Sequence, residues 1–369
     1  MPALRVGIDG RAFTSPAPGI RRYVTGLVGG LLALGEDLEI VALGGSDPGA
    51  LPAGVGHVDE PPHPPSNPGW TLIGLPRAAA RARVSVIHAP AYTAPFLAGA
   101  PVVLTIHDVS YELYPEWYPH RRDWLRRAYY RRSARAATAV LTVSDFSASE
   151  IRRAYGIARD RITVTPLGVD PLFAPGAPDA SCELPAGVTA PYLLHVGDLH
   201  ERRNLVTAVD ALFEARRHVG ALAGLSLVLV GSDRGVGEGL CRIAREAGVP
   251  EAVTLLGDVS EDRLRTLYRC AAAVVYPSMY EGFGLPLIEA MASGTPVIAS
   301  NAASIPEVTG DVALLLEPTN VASWTDAIVR VVHDDNLRAR MRAAGLARAA
   351  QFTWRRTAEL TLDVYRRAA

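Results

Sequence analysis

Short apolar runs alternate with longer helix-prone segments from one end of the 369-residue chain to the other. The runs are rich in Val, Ile and Leu, whereas the segments between them are rich in Ala, Arg and Leu. Near-continuous apolar strands separated by helices are typical of parallel sheets that are covered on both faces. The sequence predicts strands at 4–9, 38–43, 84–88, 101–106, 139–143 and 162–165 in the first half, and at 192–196, 225–230, 253–256, 272–276, 296–299 and 312–316 in the second.

Two such series of strands predict two α/β domains of the Rossmann type. A Pro-, Ala- and Gly-rich stretch at 171–191 is the expected linker, so the predicted domains are 1–175 and 176–352. Residues 353–369 form a predicted helix without a following strand, which either caps the second domain or crosses back to the first. Because ligands of open parallel sheets bind beyond the carboxyl ends of the strands, we expect the two sheets to face one central cleft.

The composition is that of an ordinary globular protein, with 49% hydrophobic residues, 20% charged residues and a formal net charge of −1. It lacks the basic excess of a nucleic-acid-binding protein and any apolar run of the roughly 20 residues that a transmembrane helix needs. A strand predicted from residue 4 leaves no room for a signal peptide. Cys182, Cys241 and Cys270 form no metal or redox motif. We therefore expect a cytoplasmic protein that makes at most peripheral contact with the inner face of a membrane.

All 37 Lys and Arg residues of the chain are arginine. Without lysine, the chain cannot form the Schiff base of ordinary pyridoxal-phosphate enzymes and cannot carry a Walker-A lysine. Recognition of phosphate by side chains must therefore rest mainly on arginine, whose planar guanidinium can bind two oxygens at once.

The most informative stretch lies at 276–301, where a buried strand, a glycine-rich turn and the start of a helix follow one another. Gly282 and Gly284 permit a tight turn, which would aim the N–H groups of the helix start at an anion. Glu281 and Glu289 would repel that anion, so we expect them to hold the hydroxyl groups of the molecule that carries it. This combination predicts a site for a phosphorylated sugar.

The spacing of the two glutamates excludes another kind of site. Eight residues of helix rise about 12 Å and turn the side chain by roughly 80°. Glu281 and Glu289 therefore cannot form the carboxylate pair of a retaining glycosidase, in which the groups are about 5–5.5 Å apart. They must contact different parts of one elongated ligand. The ordinary alternative is that Glu281 caps the helix and Glu289 is a solvated helix residue.

A second cluster follows the first predicted strand of the second half. Gly197 ends that strand, and Arg202 and Arg203 precede a predicted helix at 204–217, with Asn204 as its candidate N-cap. Two guanidinium groups beside a helix start would suit a diphosphate, and each charge-assisted hydrogen bond is worth about 1.5–3 kcal/mol. Taken alone, a solvated pair of arginines is the simpler interpretation.

The first half contains two weaker signals. Gly19 lies in a loop that enters a helix after the first strand, where a glycine could let the backbone approach a phosphate. His107 follows the strand at 101–106, where it could bond a sugar hydroxyl or polarise the reacting centre. Glycine is common after a first strand, and a core histidine bonded to the backbone explains His107 equally well.

Together these motifs resemble those of the family 4 retaining glycosyltransferases of the GT-B fold, along essentially the whole chain. The shared motifs of the first half are Gly19-Ile20 near Arg22-Tyr23, Ile87-His88-Ala89-Pro90, Thr105-Ile-His-Asp108, Thr142-Val-Ser144 and Pro166-Leu-Gly-Val-Asp170. Those of the second half are Val196-Gly197, Arg202-Arg203-Asn204-Leu205, Leu256-Gly257, Tyr280-Glu-Gly-Phe-Gly-Leu-Pro286 and Glu289-Ala-Met-Ala-Ser-Gly-Thr-Pro296 with Val297. Two glutamates with seven residues between them are the signature of this family. The opening loop is most similar to the mannosyltransferase branch that builds polysaccharides.

The resemblance implies an acceptor side in the first domain and a nucleotide-sugar donor side in the second. The catalytic residues that it implies are His107, Arg202, Arg203 and Glu281. The donor-binding residues that it implies are Gly19, Gly197, Gly282, Phe283, Gly284, Leu285 and Glu289. Glu281 would contact the donor sugar and Glu289 the ribose, the two arginines would hold the diphosphate, and His107 would bond the transferred sugar.

The resemblance also implies the reaction. A hexose, mannose from GDP-mannose in the leading hypothesis, moves to a glycan, lipid-linked or small-molecule acceptor. Transfer on the front face retains the anomeric configuration, the leaving diphosphate takes the proton of the acceptor, and neither a metal nor a cofactor is needed. The alternatives are a UDP-sugar-dependent glucosyl or N-acetylglucosaminyl transferase and a catalytically silent sugar-nucleotide-binding subunit.

Two residues depart from the pattern of the family. Arg203 stands where the family usually has lysine, so the diphosphate must be held by a wider head group. Arg21 replaces the second glycine of the opening loop, where it could crowd the phosphates or reach an acceptor.

A third group of basic residues, seven arginines, lies within 117–135. On a helical wheel they surround the helix and share a face with Trp124, Leu125 and Tyr129. Because a membrane-surface helix separates its basic and apolar faces, we favour a solvated helix or one on the acceptor side.

Overall fold

The structure, a computed structural model, describes residues 4–45, 48–61, 66–118, 122–176 and 184–369. Its chain divides into two compact units. The first unit is Met1–Gly168 together with Thr353–Ala369, and the second is Val169–Phe352. The predicted division into an acceptor domain and a donor domain stays a prediction.

The first unit contains a parallel sheet with the strand order β3-β2-β1-β4-β5-β6-β7. Its strands are β1 (Leu4–Asp9), β2 (Leu38–Leu43), β3 (Gly56–Val58), β4 (Val86–Ala89), β5 (Val102–Thr105), β6 (Ala139–Thr142) and β7 (Ile162–Val164). Its helices are α1 (Pro18–Ala33), α2 (Asn67–Gly69), α3 (Leu75–Ala82), α4 (Ser110–Leu113), α5 (Trp124–Ala136), α6 (Asp145–Tyr155) and, from the end of the chain, α14 (Trp354–Ala368).

The second unit contains a parallel sheet with the strand order β10-β9-β8-β11-β12-β13. Its strands are β8 (Tyr192–Val196), β9 (Ser226–Val230), β10 (Val253–Gly257), β11 (Ala273–Tyr276), β12 (Val297–Ser300) and β13 (Leu314–Leu316). Its helices are α7 (Leu205–His218), α8 (Gly237–Glu246), α9 (Glu261–Cys270), α10 (Leu285–Ser293), α11 (Ile305–Thr309), α12 (Val321–His333) and α13 (Asp335–Ala349).

The prediction of an α/β fold with two parallel sheets is confirmed. Each predicted strand overlaps an observed one, and the only strand of the described chain that the sequence did not predict is β3. This strand has three residues and lies at the edge of the sheet, so it shows no apolar run. The central strands β5 and β9 are buried at every position, which explains their continuous apolar sequences.

Both sheets have a point at which the strand order reverses. In the first sheet β1 pairs with β2 on one side and β4 on the other, and in the second β8 pairs with β9 and β11. Ligands of open parallel sheets bind at such points, beyond the carboxyl ends of the strands. The loops that follow β8 and β11 carry most of the residues singled out by the sequence.

The C-terminal helix α14 packs on α1 of the first unit. Two glycines of α1 make the close approach possible, since an added Cβ at Gly26 would lie 2.1 Å from Cε2 of Trp354. At Gly30 it would lie 2.5 Å from the Trp354 carbonyl oxygen. Thr353 caps the helix, because its side chain accepts a hydrogen bond from the Arg356 N–H.

Candidate active site

Gly197 brings the backbone close to an arginine at the end of β8. Its φ of 135° lies in the region that favours glycine, and an added Cβ would be 3.2 Å from Nη2 of Arg203. The neighbouring Gly231 has a φ of 132°, and a Cβ there would be 2.3 Å from the Gly197 carbonyl oxygen. Because these two positions lack a Cβ, the ends of β8 and β9 and the guanidinium of Arg203 can lie close together.

Arg203 and Glu281 form a buried ion pair in this space. Only 8% of Arg203 and 5% of Glu281 are exposed. The guanidinium also donates to the hydroxyl of Tyr276 and lies 3.5 Å from Oγ of Ser278, and its carbon is 5.3 Å from the centre of the Tyr276 ring. Burial lowers the pKa of Arg203 below its ordinary value. The structure thus joins two side chains that the sequence had assigned to different parts of one ligand.

Arg202 holds the same two loops together from a more exposed position. Its Nη1 lies 3.4 Å from the Tyr280 carbonyl oxygen, which accepts a hydrogen bond. Its own carbonyl oxygen accepts a hydrogen bond of 2.8 Å from the Met279 N–H. The loop after β8 is therefore fixed to the loop after β11.

The glycine-rich turn leads directly into α10. Gly284 occupies the N-cap position with a φ of 104°, and a Cβ there would lie 2.9 Å from Cδ1 of Leu287. The hydroxyl of Ser304 donates to the carbonyl oxygens of Glu281 and Phe283, at 2.9 and 3.2 Å. The turn is therefore held by its backbone, and α10 begins at Leu285, directly after the turn.

The two glutamates of the signature do not have the positions of the ordinary alternative, a helix cap and a solvated helix residue. Gly284 and not Glu281 stands at the N-cap position of α10. Glu289 is only 2% exposed, which excludes a solvated helix residue. One of its oxygens, Oε2, accepts a hydrogen bond of 2.9 Å from the hydroxyl of Tyr268. The assignment of Glu289 to a ribose stays a prediction.

The prediction that Asn204 is the N-cap of α7 is confirmed for its position but not for a capping bond from its side chain. Asn204 does stand at the N-cap position, but its φ is 51° and its side chain makes no capping bond. Its amide nitrogen instead donates to the Pro318 carbonyl oxygen at 2.7 Å. The side chain is used for a distant contact that sequence spacing could not show.

In the first unit, His107 follows β5 and is only partly exposed. Its Nε2 lies 3.0 Å from the Pro90 carbonyl oxygen, which can only accept, so Nε2 carries the proton. Burial lowers the pKa of His107 below its ordinary value. The ring is therefore neutral at pH 7, and its Nδ1 is a hydrogen-bond acceptor.

Gly19 is the second residue of α1 and is exposed. An added Cβ would meet no heavy atom of the described residues within 4 Å. The fold of this unit therefore does not require glycine at position 19. Arg21, two residues further, donates to the Ser15 carbonyl oxygen and so folds back on the opening loop.

Comparison with known proteins identifies the family. Residues 18–173 match the family described as Glycosyltransferase Family 4, and residues 182–348 match Glycosyl transferases group 1. The chain is 35% identical over 271 residues to O-antigen chain mannosyltransferase B of Escherichia coli, a match that covers 72% of this chain and 70% of that protein. The chain belongs to glycosyltransferase family 4.

Two solved structures show that this glycosyltransferase has the GT-B fold. Sucrose-phosphate synthase from Thermosynechococcus elongatus has a TM-score of 0.78 and 24% identity, with 98% of each chain covered. Anabaena HepE in complex with UDP-glucose has a TM-score of 0.74 and 19% identity, with 98% of this chain and 99% of that chain covered. The family and the fold that the sequence predicted are both confirmed, whereas the roles of the individual site residues stay predictions.

The structure places three further residues beside the candidate site residues, and the sequence did not suggest them. Tyr276 bonds Arg203, but it ends a buried strand and therefore resembles a core residue. His195, fully buried in β8, stacks on Tyr276 at 5.2 Å, and burial lowers its pKa to about 3. The centre of the Tyr92 ring lies 6.0 Å from that of the His107 ring, and Tyr92 has a φ of 58°. No local sequence pattern predicts this backbone conformation.

The arginine-rich segment forms α5, which begins after its N-cap Asp123. Trp124 and Leu125 are 65% and 63% exposed, and Arg131 pairs with Glu112. Arg121 and Cys182 lie outside the described residues. Within the described part of the chain, no helix is both long enough and apolar enough to cross a membrane. In the same residues no group of three or more His, Cys, Asp or Glu side chains could hold a metal ion.

Proposed function

We propose that this enzyme transfers a hexose from a nucleotide diphosphate sugar to an acceptor with retention of the anomeric configuration and without a metal ion. The observation that carries the proposal is the buried pair of Arg203 and Glu281 between two glycine-dependent backbone turns. A cation suited to a diphosphate and a carboxylate suited to sugar hydroxyls lie side by side where ligands of such sheets bind.

Arg202 and Arg203 act on the leaving group in this proposal. Negative charge builds up on the diphosphate as its bond to the sugar breaks, and cations that are already in position stabilise that charge. Arg203 is held by Tyr276 and Glu281, so it needs little reorganisation. The diphosphate itself takes the proton of the acceptor hydroxyl, which does not require a separate base.

Glu281 and His107 act on the sugar. The carboxylate of Glu281, which is paired with Arg203, accepts hydrogen bonds from sugar hydroxyls in this proposal. His107 is neutral and presents Nδ1 as an acceptor, so we propose that it accepts a hydrogen bond from a hydroxyl of the transferred sugar. It does not donate a proton to the reaction, because the proton on Nε2 is bonded to Pro90.

The donor that we propose is GDP-mannose, and the acceptor is a glycan, a lipid-linked sugar or a small molecule. The name of the Escherichia coli mannosyltransferase, 35% identical to this chain, supports mannose. UDP-glucose in the HepE structure supports the alternative of a UDP-sugar. That likeness, at 19% identity, is weaker support for a donor.

Donor hydrolysis without acceptor tests the proposal. The parent enzyme should release nucleotide diphosphate slowly in the presence of a chelator, and Glu281→Ala and His107→Ala should not. When an acceptor is added, proton NMR of the glycoside formed should show the anomeric configuration of the donor. No hydrolysis of any donor by the parent would favour a silent binding subunit.

A thermal-shift screen against GDP, UDP, ADP and dTDP identifies the base. A bound nucleotide stabilises the protein by RT ln(1 + [L]/Kd), so about 2.7 kcal/mol is expected at one hundred times Kd. The largest shift should occur with GDP. A larger shift with UDP would replace GDP-mannose by a UDP-sugar.

A further inference from the structure

A chain of buried hydrogen bonds joins the C-terminal helix to the part of the first unit that carries His107. The hydroxyl of Tyr365 lies 2.6 Å from Nδ1 of His88, and Nε2 of His88 lies 2.8 Å from Oγ1 of Thr105. Thr105 Oγ1 in turn lies 2.8 Å from the hydroxyl of Tyr23. All four linked side chains have a relative exposure of 0%. The chain thus connects α14 to α1 through the neighbouring strands β4 and β5.

The last member of this chain contacts His107. The Tyr23 ring stands edge-on to the His107 ring, with 4.8 Å between the centres and 84° between the planes. Tyr92 provides a second aromatic neighbour, and its φ of 58° is one that residues other than glycine rarely adopt. Since Pro90 binds Nε2, the orientation of His107 depends on Tyr23, Tyr92 and Pro90.

His88 is the central link because both of its ring nitrogens have partners. Burial lowers the pKa of His88 to about 3, so the ring is neutral and has one donor and one acceptor. Without the hydroxyl of Tyr365, Nδ1 of His88 would be a buried polar atom that has lost its partner, and such sites rearrange or admit water. Because the bonds are in series, this change would reach Thr105 and Tyr23.

We propose that Tyr365 is a positioning residue for His107 and acts through His88, Thr105 and Tyr23. It fixes the orientation in which Nδ1 of His107 is available to the transferred sugar. This inference rests on the role of His107 in the proposed function. Tyr365 itself is fully buried and acts only through its neighbours.

The test compares Tyr365→Phe with a matched control, Tyr192→Phe. Tyr192 is also 0% exposed, and its hydroxyl donates a hydrogen bond of 2.8 Å to the Leu267 carbonyl oxygen in the second unit. Each variant loses one buried hydroxyl, so both should lower the melting temperature by a similar amount. Only Tyr365→Phe should lower kcat for donor hydrolysis, by about tenfold, because small displacements of a catalytic group have large effects on rate. The Kd for nucleotide diphosphate should stay within twofold of the parent value in both variants.

A second readout follows His107 directly. Long-range ¹H–¹⁵N spectra report the two nitrogens of each histidine ring, and the His107 signals are assigned by their loss in His107→Ala. They should shift in Tyr365→Phe and in Tyr23→Phe, which keeps the ring but removes the hydroxyl, and they should stay unchanged in Tyr192→Phe. If Tyr365→Phe does not fold, Tyr23→Phe tests the same chain from its other end.

The proposed role of His107 and the positioning role of Tyr365 are contradicted by different results. Full activity of His107→Ala would contradict the proposed role of His107. An inactive His107→Ala together with a Tyr365→Phe variant whose kcat falls no further than that of Tyr192→Phe would contradict the positioning role alone. Unchanged His107 signals in both Tyr365→Phe and Tyr23→Phe would also contradict the positioning role of Tyr365.

Discussion

The two units hold their candidate site residues by different kinds of interaction. In the second unit, opposite charges and glycine-dependent turns fix Arg203 and Glu281. In the first unit, neutral rings and a backbone carbonyl fix His107, and Gly19 lies free of steric neighbours among the described residues. The difference suggests that the second unit is built to bind a charged ligand, and the first to orient an uncharged group of it.

The largest loss of stability and of turnover is expected when the guanidinium of Arg203 is removed from the second unit. Arg203→Ala leaves the carboxylate of Glu281 buried without its partner, which should cost about 3–5 kcal/mol of unfolding free energy. Turnover should also fall about 10²–10³-fold, as when a group that stabilises transition-state charge is lost. Urea unfolding and donor turnover measure the two losses.

The double variant Arg203→Ala/Glu281→Ala separates stability from catalysis. It should recover much of the unfolding free energy, because no unpaired charge remains, and it should stay inactive. If the double variant is as unstable as Arg203→Ala, the ion pair does not account for the stability of this region.

Two substitutions of His107 in the first unit test which of its ring nitrogens accepts the hydrogen bond from the sugar. In His107→Asn the side-chain oxygen can take the place of Nδ1, whereas in His107→Gln the amide nitrogen can reach Pro90 but no acceptor replaces Nδ1. We expect turnover to fall about tenfold in the first and about a hundredfold in the second, because only the second loses the hydrogen bond to the sugar, and about 1.4 kcal/mol of lost transition-state stabilisation is a factor of ten. Equal losses in steady-state kinetics would contradict the assigned tautomer.

A pH series tests whether each unit contains a buried histidine whose pKa is lowered. Burial lowers the pKa of His88 in the first unit and of His195 in the second to about 3. A histidine with a lowered folded pKa binds protons better when unfolded, so its stabilisation is complete above pH 6.5 and is lost as the pH falls. Between pH 6.5 and 5.5 each should cost about 1 kcal/mol. Urea unfolding at both values measures the loss, and constant stability would mean that both rings are protonated in the folded protein.

Two glycines should differ in how their replacement by alanine changes stability. Gly284→Ala should cost about 1–3 kcal/mol, since alanine is strained at a φ of 104° and its Cβ would crowd Leu287. Gly19→Ala should cost nothing and can gain up to about 1 kcal/mol, because alanine favours a helix. If Gly19 approaches the phosphates, its substitution should nevertheless lower turnover. Thermal unfolding and kinetics of both variants test the contrast, and full activity of Gly19→Ala would remove Gly19 from the site.

How much of this could be predicted from sequence differs between the units. The strands, the start of α10 and the two motifs that carry Arg203 and Glu281 were predictable, because apolar runs, glycine turns and charged motifs are local in sequence. The ion pair between Arg203 and Glu281 was not, because it joins two separate loops. The partner of Asn204 is 114 residues away, and the chain that ends at Tyr365 spans 277 residues between His88 and that helix. Such tertiary contacts leave no periodic pattern, and the left-handed backbone of Tyr92 follows no turn signature.

Calorimetric titration of nucleotide diphosphate into Arg203→Ala and His107→Ala tests the central claim most directly. The claim is that the second unit binds the diphosphate, while His107 acts only on the sugar. Arg203→Ala should bind at least about tenfold more weakly than the parent, the equivalent of one lost charge-assisted hydrogen bond. His107→Ala should bind within twofold of the parent and yet fail to turn over donor. Equal weakening of binding in the two variants would contradict the division of roles.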